Sequence, residues 1–115
     1  MWNIDFYETM DGEIPVAEFL DSLQAKHKAK ALRQIDLLSD FGIGLKEPYA
    51  KHIGEGLWEL RIKFASDISR VFYFIPGANK IILLHGFVKK TQKTPPAEIK
   101  TAIARMDDYR ERCIK

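Results

Sequence analysis

The chain has 115 residues, of which 46% are hydrophobic and 30% charged, a balance that suits one packed domain (residues 1–115) and excludes a disordered chain. Its only cysteine, Cys113, excludes an intrachain disulfide and a cysteine-rich zinc site. The net charge of +2 conceals an asymmetry: residues 46–93 carry nine Lys/Arg against four acids, whereas the rest of the chain carries nine against twelve. A positive middle on an otherwise acidic chain points to a local anion-binding face, although a mixed solvated surface has the same composition.

The opening Trp2–Tyr7 alternates apolar and polar residues, with Trp2, Ile4 and Phe6 on one side, and is expected to be a half-buried strand ended by a turn at Asp11-Gly12. It lacks the basic and apolar blocks of a secretory signal, and no apolar run is long enough to cross a bilayer, so a cytoplasmic location is expected. Pro15 suits a first helical turn, and Val16, Phe19, Leu20 and Leu23 follow as one apolar stripe. A second helix is expected from about His27 to Phe41, burying Ala31, Leu32, Ile35, Leu38 and Phe41 and stopped by Gly42, so that the two helices form an αα-hairpin. Residues 42–56, with four glycines and Pro48, read as a loop.

From Leu57 the period becomes two. Trp58, Leu60, Ile62 and Phe64 share one face, while Glu59, Arg61 and Lys63 share the other. Ser69–Ile75 and Lys80–Val88 are apolar on both faces, the pattern of central strands covered on each side, and short turns join the three strands into an antiparallel meander. Thr94 is expected to cap a last helix with Pro95 at its first position and a stripe of Ile99, Ala102, Ile103, Met106 and Tyr109. The order βααβββα is an α+β fold, a small antiparallel sheet packed by an αα-hairpin and a C-terminal helix.

The chain has no Walker loop, dinucleotide fingerprint or HExxH motif, and its three scattered histidines do not make a metal site. The meander, however, gathers cations. Arg61 and Lys63 face the same side, Arg70 opens the next strand, and Lys89, Lys90 and Lys93 follow the end of the third, at the same edge as the end of the first. Such a rim suits phosphate, to which arginine offers a planar fork and lysine a mobile charge. Clustered cations stabilise a phosphorane, and their repulsion lowers lysine pKa values towards those of useful acids and bases. Simple nucleic-acid or partner binding needs the same cluster. Tyr49, in the loop, has the chemistry to stack a base, although a tyrosine in such a loop is more often simply packed.

Three blocks in order, Gly56-Leu57-Trp58-Glu59-Leu60-Arg61, Ser69-Arg70-Val71-Phe72-Tyr73-Phe74 and Leu83–Pro95, resemble the phage-derived, HigB-like branch of the RelE/ParE toxin superfamily. The resemblance implies a RelE-like fold and a type II toxin, an endoribonuclease that cuts mRNA in the ribosomal A site without a metal or other cofactor. It also implies a helix-turn-helix antitoxin, through which alone the complex would reach operator DNA. By position, Arg70 looks like the family's phosphate-stabilising arginine, Arg61 and Lys63 sit where relatives activate the attacking hydroxyl, and Lys90 takes the basic position after the following strand. Lys89, Lys93 and His52 are implied as RNA contacts, with His85 a further member of the partly present histidine set. No tyrosine matches the one with which some relatives stack the substrate base. Two alternatives share the fold: a ParE-like gyrase inhibitor, and an inactive prophage module that still binds an antitoxin or RNA.

Overall fold

A computed structural model describes residues 1–89 and 93–113. Strand β1 (Asn3–Phe6) is followed by helices α1 (Pro15–Asp21) and α2 (Ala25–Phe41), then by strands β2 (Ala50–Gly54), β3 (Leu57–Phe64), β4 (Asp67–Gly77) and β5 (Lys80–Lys89), and finally by helix α3 (Pro96–Cys113). The fold is α+β, with a five-stranded sheet ordered β1-β5-β4-β3-β2. Strands β2 to β5 run antiparallel to their neighbours, whereas β1 lies parallel to β5 at the far edge.

Burial on two faces explains the uninterrupted apolar runs of β4 and β5. On one face Val16, Leu20, Ala31, Ile35 and Leu38 of the helical hairpin pack on Leu60, Ile62, Val71, Tyr73, Ile81 and Leu83. On the other, Ala102 and Met106 of α3 pack on Leu57, Phe72, Phe74, Ile82 and Leu84. Pro15 stands in the first turn of α1 as expected, and Gly42 ends α2 at φ +52°. The indole of Trp2 lies on Gly42 so closely that a β-carbon there would overlap the ring, so the glycine serves both the backbone turn and the packing of β1.

The structure departs from the sequence expectations in the sheet, in the loop and in α2. The sheet is mixed rather than antiparallel, because β1 adds to β5 after a long excursion through both helices. The segment expected to be a loop contains β2, whose Ala50-Lys51-His52 is too short and polar to signal a strand alone and is ordered by its ladder to β3. Leu32 and Phe41 are exposed rather than buried. The inward stripe of α2 is His27, Ala31, Ile35 and Leu38, and Leu32 lies off it. His27 joins this core because its Nε2 meets the Ser69 hydroxyl at 2.7 Å and its ring stacks on Phe64.

Candidate functional site

The register of β3, β4 and β5 assembles the cations. Arg61 stands opposite Arg70, and Ile68, two residues before Arg70, has Lys63 on one side and Lys89 on the other. By strand alternation these side chains share the face that carries Phe72 and Phe74, the face covered further along by α3. Lys51 joins them, being opposite Glu59 on β2.

Like charges placed directly opposite in a sheet repel, and Glu59 relieves that repulsion. Its side chain is only 1% exposed. Oε1 accepts a long hydrogen bond from Arg61 Nε at 3.5 Å and lies 3.2 Å from Arg70 Nε. Oε2 accepts from the Thr94 hydroxyl at 3.0 Å, and Thr94 Oγ1 in turn accepts from Lys89 Nζ at 3.3 Å. Thr94 is therefore not the helix cap expected of it. Helix α3 starts at Pro96, with the Pro95 carbonyl accepting from the amides of Glu98 and Ile99, while the threonine hydroxyl fastens the approach to α3 onto the charged cluster.

Arg70 is 5% exposed, and although its Nε is close to Glu59 the angle is too poor for a hydrogen bond, so this buried donor has no acceptor among the described residues. Burial lowers the Arg70 pKa and the neighbouring Arg61 lowers it further, with Glu59 opposing both. The guanidinium nevertheless stays charged under physiological conditions, because an arginine begins far above that range. The Lys89 pKa is also lowered, first by burial and then by Arg70, again against Glu59.

Beside this cluster is a cavity of about 310 Å³. Arg61, Lys63, Ile68 and Arg70 form its strand side, Lys30 and Gln34 reach it from α2, and Pro48 and Tyr49 close it from the segment before β2. It opens there because the β2–β3 ladder runs out. The Arg61 amide still donates to the Tyr49 carbonyl at 2.8 Å, but Ile62–Phe64 have no strand partner on that side among the described residues. Among the described residues four cations and no carboxylate line the cavity.

The fold thus brings Arg61, Lys63 and Arg70 to one cavity, with Lys89 linked to them through Thr94 and Glu59. His52 is elsewhere: it pairs with Trp58 on the opposite strand parity, packs against that ring and lines a separate cleft with Lys46, Glu47 and Lys51. Lys93 is exposed in the bend before α3, and Lys90 lies outside the described residues. His85 is held under α3, with Nδ1 receiving Arg105 Nη1 at 3.0 Å and Nε2 facing Glu98 Oε1 at 2.9 Å. Because arginine only donates, Nδ1 must be the acceptor and the proton sits on Nε2.

The scan against family models matches residues 18–107 to the family described as Phage derived protein Gp49-like (DUF891). The chain belongs to this family. Gp49-like proteins are a RelE/HigB-like toxin family. No curated protein matches the chain. The span matched in this Gp49-like chain runs from α1 into α3 and so includes every residue lining the cavity.

Glu59, Lys30, Gln34 and Thr94 were not anticipated as members of the site. Strand parity alone puts Glu59 on the face of Arg61 and Lys63, and an acid inside a basic stripe is the signal that would have found it. Lys30 and Gln34 share a helix face, but only the packing of α2 beside the free end of β3 brings them to the cavity.

Burying Lys89 beside Arg70 has a consequence that can be measured. A cation whose pKa is lowered on folding destabilises the folded state while it is protonated. That penalty is complete below its folded pKa and is lost as pH rises from that value to the ordinary 10.5. Lys89→Met is therefore expected to raise the melting temperature at pH 7 and to lose that advantage in alkaline buffer, while weakening anion binding. Melting curves of both proteins at pH 7 and pH 10 check this, and an unchanged or lower melting temperature at pH 7 contradicts it.

Proposed function

We propose that this chain is the toxin of a type II toxin–antitoxin pair, a HigB-like endoribonuclease that cuts mRNA on the ribosome and blocks translation. The observation that carries the proposal is the cavity walled by Lys30, Arg61, Lys63 and Arg70, with no acid in its lining among the described residues. A phosphodiester has one negative charge before reaction and two when the 2′-hydroxyl has added, so fixed cations favour the transition state over the ground state. In the proposed step the ribose 2′-oxygen forms a bond to phosphorus and the bond to the 5′-oxygen breaks. The hydroxyl proton leaves to a base, and the departing 5′-oxygen takes up a proton, giving a cyclic 2′,3′-phosphate and a free 5′-hydroxyl.

In this scheme Arg70, already desolvated and held by β4, is the fixed charge for the phosphorane. Arg61 adds the second contact, and Lys63 is the group suited to take the hydroxyl proton, since arginine stays protonated. Lys89 and Lys90 supply further charge along the RNA. The proposed partner is a helix-turn-helix antitoxin, and the ribosome presents the mRNA.

Toeprinting on programmed ribosomes with purified protein tests the assignment. Cuts at codon-defined positions, with 2′,3′-cyclic ends, are expected. Intact mRNA together with loss of gyrase supercoiling would replace the ribonuclease assignment with the gyrase-inhibitor alternative. Intact mRNA with unaffected gyrase and no growth arrest on induction would leave an inactive binding module.

A further inference from the structure

We propose that the buried pair His27 and Ser69 positions the two walls of the anion cavity, holding Lys30 at the distance from the strand cations that lets one phosphate touch both. The proposal rests on the RNA assignment above and adds to it which residues, outside the lining, set the shape of the site.

The cavity is built from two bodies. Lys30 and Gln34 belong to α2, whereas Arg61, Lys63, Ile68 and Arg70 belong to β3 and β4. Ala31, Ile35 and Leu38 press α2 onto the sheet through apolar contacts. Burial of that kind is favourable but non-directional. A hydrogen bond has direction, and one joins the two bodies at the cavity end of the helix.

His27 Nε2 and the Ser69 hydroxyl are 2.7 Å apart, and the two residues are 5% and 0% exposed. The imidazole also stacks on Phe64, with ring centroids 5.1 Å apart and planes 18° from parallel. Each of these three residues adjoins a group that lines the cavity. His27 lies one helical turn before Lys30 and two before Gln34, on the same face of α2. Ser69 stands between Ile68 and Arg70, and Phe64 follows Lys63. Ser69 has the opposite strand parity to Arg70, so its hydroxyl meets α2 while the guanidinium lines the cavity.

The chemistry of the pair fits a positioning role better than a stabilising one. A buried hydrogen bond adds little net stability, and apolar groups of the same shape can replace both partners at almost no cost. Direction is what such a replacement loses. Without the bond, α2 is held by its apolar stripe alone, and Lys30 is free to shift relative to Arg61 and Arg70. A phosphate bound to the arginines then loses its contact with the helix wall.

A double-mutant cycle tests this, with inorganic phosphate as the probe and the NMR signals of Arg61 and Arg70 in the ¹⁵N-labelled full chain as the readout. His27→Phe/Ser69→Ala keeps a ring to stack on Phe64 and removes both polar groups, so it is expected to melt close to the unaltered protein. Its phosphate affinity should nonetheless fall by about threefold or more, and its single-turnover cleavage by about tenfold, because small displacements of a positioned group are expensive in rate. Lys30→Ala should weaken phosphate binding in the unaltered protein but have no further effect in the double variant. A pair that merely supports the fold does not produce that non-additivity. His27→Gln, which keeps a group able to bond Ser69, should recover part of the affinity. If the double variant does not fold, Ser69→Ala, which removes a single oxygen, carries the same cycle. Unchanged phosphate affinity in the folded variant, or an effect that simply adds to that of Lys30→Ala, overturns the positioning role and leaves the anion cavity standing. If phosphate moves neither Arg61 nor Arg70 in the unaltered protein, the RNA assignment of the cavity falls and the positioning role falls with it.

Discussion

Replacing Arg70 with alanine is expected to reduce mRNA cleavage by about two to four orders of magnitude, or roughly 3–5 kcal/mol of transition-state stabilisation. The size of the effect follows from where the guanidinium sits. It is 5% exposed, so its charge is poorly screened by water, and it lines the cavity while its Nε, 3.2 Å from the Glu59 carboxylate, has no hydrogen-bond acceptor among the described residues. Arg61 is a necessary comparison, because its side chain is 30% exposed and its removal should disturb folding little. Arg61→Ala is expected to lower cleavage by a smaller factor with an unchanged melting curve. Arg70→Lys keeps the charge but loses the planar fork, and should recover only part of the activity. Single-turnover cleavage on programmed ribosomes, measured alongside thermal melting for each variant, separates lost chemistry from lost structure. A folded Arg70→Ala protein that cleaves at the rate of the unaltered chain removes Arg70 from the mechanism.

The elements that could be read from the sequence were those whose pattern is local. The stripe Val16, Leu20 and the stop at Gly42 define the helical hairpin through spacing and one special backbone angle. The alternation from Leu57 to Phe64 and the two apolar strands after it define the meander, and its geometry alone brings Arg61, Lys63 and Arg70 to one face. What could not be read depends on distant partners. Strand β2 is ordered by β3, and the parallel addition of β1 to β5 joins segments more than seventy residues apart, with no trace in either segment's composition. Leu32 has the chemistry of a core residue but lies off the buried stripe that His27 completes through its bond to Ser69. The cavity has the same character. Its strand wall is visible in the sequence as alternating charge, while Lys30 and Gln34 join it only because α2 passes the end of the β2–β3 ladder.

Glu59 is expected to produce the largest stability effect of any single charged residue in the site. Glu59→Ala leaves the buried Arg70 without its counter-charge, a change that typically costs about 3–5 kcal/mol, and it also releases Thr94 and, through it, Lys89. Against a total stability of about 5–15 kcal/mol that is a large fraction, and for a chain of this length it corresponds to a fall in melting temperature of at least about 10 °C. Glu59→Gln discriminates between support and charge. The amide still has an oxygen to accept from Thr94, so the approach to α3 is kept, but Arg61 and Arg70 now face each other with no carboxylate between them. This variant should melt at a temperature between those of the alanine variant and the unaltered chain. Sulfate or phosphate should stabilise it more than they stabilise the unaltered chain, because the anion takes over the missing negative charge. Glu59 acts on RNA only through the two arginines and Lys89, so it is a positioning residue. Glu59→Gln should accordingly bind oligonucleotide at least as tightly as before, since the cluster has become more positive, while its maximal cleavage rate drops by about tenfold as the arginines lose their common anchor. Loss of affinity with an unchanged maximal rate would contradict that role, as would a Glu59→Ala protein that melts within a degree or two of the unaltered chain.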